Sequence, residues 1–597
     1  MRISDFSPAS DRQRARRAAL GEEPCDLRIV HCQLVNVLTG EIYPAEVDLC
    51  EQWIVACRQA GEAPGPEARR TLDAQGAYLI PGFIDTHVHI ESSMMTPANF
   101  AQVAVGWGTT TVITDPHEIT NVMGEAGVSF MAADAKRALL RQFILVPSCV
   151  PSNPQLETGG TVLTPEQIAG LLTRPEVLGL GEVMDYDGVC RGEQRMTDEL
   201  TAALRQNLFL QGHAPRLTGA PLNAYLVSGI QSDHECRSGD EALRKLRSGM
   251  HINLKSSSLS NHLFDALQGL QDVRWRDNVS FCTDDVHAQT IVSEGHLNRI
   301  VAEAIGYGLD PVEAIRMASL HAAREYGFCD LGAIAPGYVA DLQLVPALDG
   351  SRPTHVFIGG KLTAENGRCP APTDAQPQKT PMGKTVDLAQ LHSEESLRLA
   401  AEPDAQVLTL QFKTLHDNFH SACYEQPHEK DGVIDVTADA ELALLCVCNR
   451  HGRGGKTIVP IRGTGLRAGA FATTVSHDCH NLLIVYRSEA DAWLAAQTLE
   501  RLGGGFAAVL DGKVLGTLAL PVGGLMSPLD GRTLADEISA FERASAEILP
   551  SGRPGDNLLR FATSALPVLP GFVVTDKGVV DGRKQCFVPV FRKLRYR

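Results

Sequence analysis

The chain has 597 residues, 44% of them hydrophobic, and a formal net charge of −17. That length exceeds what one hydrophobic core organises, so two or three domains are expected, and the acidic balance argues against nucleic acid or an anionic membrane as partner. No apolar run is long enough to span a bilayer, and the fifteen scattered cysteines, with no CxxC pair, read as reduced thiols of a cytoplasmic protein.

The first stretch, "MRISDFSPASDRQRARRAAL", lacks the apolar segment of a secretory signal and reads as a solvated, partly helical leader over residues 1–25. "DLRIVHCQLVNVLTGEIYPAEVDLC" and "QWIVACR" alternate apolar and polar residues between turn signals, which predicts short strands over 26–78. Eight apolar segments follow within residues 79–325: "AYLIPGFIDTHVH", "TTTVITDPH", "QFILVPSC", "VLGLGEVM", "LFLQGHA", "GIQSDHE", "MHINLK" and "NVSFCTDD". Helical stretches such as "TPEQIAGLLTRP" and "DELTAALRQN" separate them, so the expected α/β fold is a TIM-like (β/α)8 barrel. Strand character returns over 326–368 and can complete a small β-domain with 26–78, built from both flanks of the barrel. A Pro-rich polar linker is expected over 369–387 and a C-terminal α+β domain over 388–597, with helices in "EADAWLAAQTLERL" and "LADEISAFERASAEIL".

Catalytic groups in a TIM barrel sit at the C-terminal ends of the strands. Those ends carry His87 and His89; Asp115, His117 and Glu118; Glu182; His213; His234 and Glu235; and Asp284 and Asp285. In a strand, residues i and i+2 share a face, so His87 and His89 address the same space. Each residue alone admits a plainer reading: a satisfied histidine pair, Glu182 paired with an arginine, His234 in a surface loop, Asp284 and Asp285 capping a helix. A random scatter of 19 histidines would not respect one position relative to the strands, and this shared placement favours a metal site. One ion needs three or four protein ligands; four imidazoles and two carboxylates suit two ions with a shared carboxylate. The reaction class is metal-assisted hydrolysis at an sp² carbon, a strand-eight carboxylate moving the proton.

"PGFIDTHVHIESS", "GEVMD", "GHAP", "SDHE", "FCTDD" and "EGHLNRIVAEAI" resemble the adenine deaminases of the amidohydrolase superfamily, as do the C-terminal "GTGLRAGAFATTVSHDCHN", "LPVGGLMS" and "ALPVLPGFVVTDKGVVD". The resemblance implies that His87, His89 and Asp284 hold one divalent metal, His213 and His234 the second, and Glu182 bridges where many superfamily members place a carboxylated lysine. It also implies that a metal-bound hydroxide attacks the amine-bearing carbon of adenine, giving hypoxanthine and ammonia in purine salvage. Manganese or iron would serve, with zinc as a further option; Asp284 would shuttle protons, and Glu235 would protonate or orient the purine ring. Asp115, His117, Glu118, Asp285 and Lys255 are expected around the ligands or the substrate. The chain departs from the family at strand seven, where an Arg-Glu-Gly-Ser type segment is expected and "INLKSSSLSNHL" stands, with Lys255 followed by three serines.

Two further readings stay open: an amidohydrolase that opens a cyclic amide or deaminates a related or modified purine, and an inactive barrel serving as a scaffold. The zinc deaminases of nucleic-acid bases are set aside, because "HIE" at 89–91 has no P-C-x-x-C partner. "SHDCHN" brings His477, Asp478 and His480 together; a hydrogen-bonded turn is the plainer expectation and another metal site the alternative. The C-terminal domain is expected to act as a cap, and the enzyme to be a homo-oligomer.

Overall fold

The computed structural model describes residues 11–593 except 60, 61, 64, 66, 371–384, 413–419 and 553–554. Residues 1–10 of the expected leader and most of the expected linker therefore lie outside the described residues. The remainder of the leader includes a helix, Asp11–Ala19.

Both flanks of the central region meet in one eight-stranded sheet. Leu342–Val345, from beyond the barrel, runs antiparallel to Tyr78–Pro81, which in turn runs parallel to Leu27–Asn36. The segment "AYLIPGFIDTHVH", read above as one strand, is two: Tyr78–Pro81 belongs to this sheet, and Phe83–Val88 starts the barrel. Gly82 marks the change: its amide still donates to the Asp341 carbonyl at 2.9 Å, whereas the Phe83 amide donates to the Gly108 carbonyl at 3.0 Å on the barrel side.

Eight parallel strands follow in two hydrogen-bonded runs. Phe83–Val88, Thr109–Thr114, Arg141–Val146, Val177–Val183 and Phe209–Gly212 form the first; Ser232–Asp233, His251–Lys255 and Val279–Cys282 form the second. The runs meet where the Gln231 amide donates to the Leu210 carbonyl at 2.9 Å. They close where Asp284 N donates to His87 O at 3.0 Å and His89 N to Asp284 O at 3.2 Å. That second seam ties the end of strand eight to the end of strand one, and side chains reinforce it, the Thr283 hydroxyl donating to Asp85 Oδ2 at 2.6 Å and the Thr86 hydroxyl to the Phe281 carbonyl at 3.0 Å.

The C-terminal region is built on a nine-stranded sheet. Period-two alternation divides its faces. Leu444, Cys446, Ile484 and Ala507 pack under the helix Glu489–Leu502, which Ser488 caps and Gly503 ends in the left-handed conformation (φ 77°). Leu445, Val447, Phe471 and Phe506 face the helix Gly531–Ser545 and the barrel residues Ile90, Phe100 and Ile119 in one apolar cluster. Burying each such phenylalanine contributes roughly 1.5–3 kcal/mol, so the second domain is fastened to the barrel by continuous core. No helix among the described residues is long and apolar enough to cross a membrane.

Candidate metal centre

Glu182, at the end of barrel strand four, is the hub. Its Oε1 lies 2.8 Å from His89 Nε2 and 3.2 Å from His87 Nε2; its Oε2 lies 2.6 Å from His213 Nδ1 and 3.4 Å from His234 Nε2. Asp284 Oδ1 is 3.3 Å from Nε2 of both His87 and His89. Local structure explains these positions. The i, i+2 pair shares a face, the seam described above pins Asp284, and the Glu182 amide donates to Asp115 Oδ2 at 2.8 Å across the one intervening strand. A side chain at position 181 would displace Asp115, because a Cβ there would be 2.3 Å from Asp115 Oδ2.

The cluster is built to receive cations. All six groups are buried except His213, which is 17% exposed. Burial would push Glu182 and Asp284 up, but the surrounding histidines, and Lys255 beside Asp284, hold both well below the usual carboxylate range. Burial would lower His87, but Glu182 and Asp284 outweigh it and hold the ring up to about 9. Positive charge is thus in demand at this point, and protons meet that demand when nothing else does. Both ring nitrogens of His87 and Oε1 of Glu182 are buried with no hydrogen-bond partner, a cost normally removed by a ligand. His89 Nδ1, 2.9 Å from the Asp115 carbonyl, must be the protonated nitrogen, which leaves the Nε2 lone pair for a metal. His87, Glu182, His234 and Asp284 bring their ligand atoms within 4.8 Å of one another, as do His89, His117 and Glu182. The donor set fits divalent metal.

The other expected residues surround this centre. Lys255 donates to Asp284 Oδ2 at 2.7 Å and also pairs with Glu235; the departure noted at strand seven therefore touches the expected proton carrier directly. Burial would raise Glu235, but Lys255, His213 and Arg237 keep it ionised. His117 Nδ1 is 3.7 Å from Glu182 Oε1. Ser92 Oγ donates to Glu118 at 2.9 Å and lies 2.5 Å from Asp285.

The sequence reading expects the second domain as a cap but does not place its side chains in the site. His477 and Asp478 line the same cavity of about 830 Å³ as His89, Glu182, His234 and Asp284. His477 Nδ1 is 3.1 Å from Glu118 Oε1, and Asp478 Oδ1 is 3.7 Å from His117 Nε2. His480 does make the expected turn contact, its Nδ1 accepting from the Ser476 amide at 3.2 Å, but His477 turns towards the barrel mouth. The signal was present in "SHDCHN"; its distance along the chain from every barrel residue hid the destination.

Comparison with known proteins agrees with this architecture. The amidohydrolase family matches residues 78–363, and the adenine deaminase C-terminal domain matches residues 419–586. Adenine deaminase 2 of Carboxydothermus hydrogenoformans is 37% identical over 573 residues, 96% of this chain and 98% of that one. The adenine deaminase of Desulfatibacillum aliphaticivorans is 37% identical over 577 residues, with the same coverage of both chains. That of Halalkalibacterium halodurans is 37% identical over 581 residues, 96% of each chain. With a barrel of the amidohydrolase type, a buried nest of imidazoles and carboxylates at its mouth, and relatives matched from end to end, the chain belongs to the adenine deaminase family.

Proposed function

We propose that this protein converts adenine and water to hypoxanthine and ammonia at two divalent cations, manganese or iron. The observation that carries the reading is the division of Glu182, one oxygen towards His87 and His89, the other towards His213 and His234. In this reading His87, His89 and Asp284 hold one cation, His213 and His234 the other, and Glu182 both. Cations so held would lower the pKa of water and supply a nucleophile near neutral pH.

The remaining work falls to side chains. Asp284 accepts the two protons of the attacking water in turn, passing one to N1 as oxygen adds at C6 and the other to the exocyclic amine, which leaves as ammonia. Lys255 holds the outer oxygen of Asp284, fixing its direction while the proton moves. Glu235, kept ionised by Lys255 and Arg237, suits accepting a substrate N–H better than supplying a proton, so we assign it to orientation of the purine. The second domain closes over the mouth and limits bulk water at the reacting carbon.

The test is metal analysis joined to turnover. Enzyme purified without chelator should hold close to two transition-metal ions per chain, lose activity on chelation and regain it with manganese. His87→Ala should lose metal and rate together, because removing a ligand empties the site. Full turnover in metal-free protein would refute the proposal.

A further inference from the structure

We propose that His477, carried by the C-terminal domain and held by Glu118, is a substrate-contacting residue that donates from Nε2 to N7 of the purine. The inference rests on the adenine reading above and names a recognition group outside the barrel.

The geometry has three parts. First, His477 lines the cavity that contains the metal cluster, although it belongs to the other domain. Second, its Nδ1 faces Glu118 Oε1 at 3.1 Å, so the opposite nitrogen is the one left for an occupant of the cavity. Glu118 is itself fixed by the Ser92 hydroxyl at 2.9 Å and is buried. A carboxylate on Nδ1 orients the ring and stabilises its positive form, in which Nε2 also carries a hydrogen. The raised affinity of His477 for its proton, held up to about 9 against burial by Glu118, is consistent with that form.

Third, the pair lies across the mouth from Glu235 and Lys255. Glu118 follows barrel strand two, whereas Glu235 follows strand six and Lys255 ends strand seven; in an eight-stranded barrel, strands two and six are opposite. A purine whose C6 faces the metal cluster presents N1 on one flank and N7 on the other. N1 gains a proton when water adds at C6, and the proton carrier Asp284 is bonded to Lys255 on the strand-seven side. That flank suits N1, which leaves N7 to His477. Glu118 acts through His477 and is a positioning residue.

The experiment compares kcat/KM for adenine, 7-deazaadenine and 3-deazaadenine in the metal-loaded full-length wild type, His477→Ala, His477→Phe and Glu118→Gln, with metal content measured in each. A charged hydrogen bond lost on one side should cost on the order of 10- to 100-fold. The wild type should therefore prefer adenine to 7-deazaadenine by that factor, and in His477→Ala the preference should fall to near unity with metal content unchanged. Glu118→Gln should weaken the preference partly, and no variant should alter the ratio of adenine to 3-deazaadenine. His477→Phe keeps the loop filled without a donor and gives the same reading should the alanine variant fold poorly. Persistence of the 7-deaza preference in the His477 variants would overturn the inference while leaving adenine deamination intact. Wild-type enzyme inert towards adenine would overturn the substrate reading and this inference together.

Discussion

At the scale of single residues, the centre works by leaving polar atoms without protein partners. Both nitrogens of the fully buried His87 lack a hydrogen-bond partner, Nε2 meeting Glu182 and Asp284 only as charged neighbours at 3.2 and 3.3 Å, an arrangement that suits an occupant of the shared space. His89 shows how the neighbouring backbone selects the tautomer, its Nδ1 hydrogen being taken by the Asp115 carbonyl. Asp284 divides its oxygens between two imidazoles on one side and Lys255 on the other. Asp284→Asn conserves that shape and removes the base. As the proposed proton carrier it should be worth roughly 10²–10⁴-fold in kcat, read in single-turnover assays at full metal content. A variant with near-normal kcat and bound metal would move the role to Glu235.

At the scale of elements, every barrel group of the centre is placed by where its strand ends. Gly181 makes the point testable. It lies within the strand Val177–Val183, one residue before Glu182, and a methyl group there would lie 2.6 Å from Asp115 Cγ. Gly181→Ala should push the Asp115 carboxylate away from the Glu182 amide and shift the shared ligand. We expect metal content and kcat to fall at least about tenfold, since a misplacement of ~1 Å costs rate on that order or more, while far-ultraviolet circular dichroism stays unchanged. Unaltered metal content would show that the Asp115 contact does not position Glu182. Strand ends were also where the sequence was legible, because the alternation behind His87 and His89 and the polar residues closing each apolar run are local patterns. Three features were not legible for physical reasons. The break at Gly82 depends on which distant segment takes each backbone amide, Asp341 for Gly82 and Gly108 for Phe83. The pairing of Lys255 with Asp284 depends on the register between strands seven and eight, in which Lys255 lies opposite Cys282. The approach of His477 to Glu118 depends on packing between domains, which no local periodicity records.

At the scale of the whole molecule, the barrel and the C-terminal sheet are one structure. Ile90, Phe100 and Ile119 of the barrel share a core with Phe471 and Phe506 of the sheet, and the Asn449 and Asn481 side chains donate to the Thr158 carbonyl on the barrel side at 3.0 and 3.1 Å. This junction sets His477 and Asp478 over the metal cluster and encloses a cavity of about 830 Å³. The cavity is roomier than a purine base needs, so room alone would admit a nucleoside. Discrimination then has to come from hydrogen bonds to ring nitrogens, of which a free base keeps an N–H that a nucleoside has replaced by sugar. A site that bonds such a group rejects analogues lacking it by factors of about 10⁴ or more in favourable cases. The most direct measurement is ammonia release from equal concentrations of adenine, adenosine and dihydrouracil by chelator-stripped enzyme before and after manganese loading. The account predicts turnover of adenine only after loading, with adenosine and dihydrouracil near background. Comparable or faster release from adenosine, or release from adenine by the stripped enzyme, would contradict it.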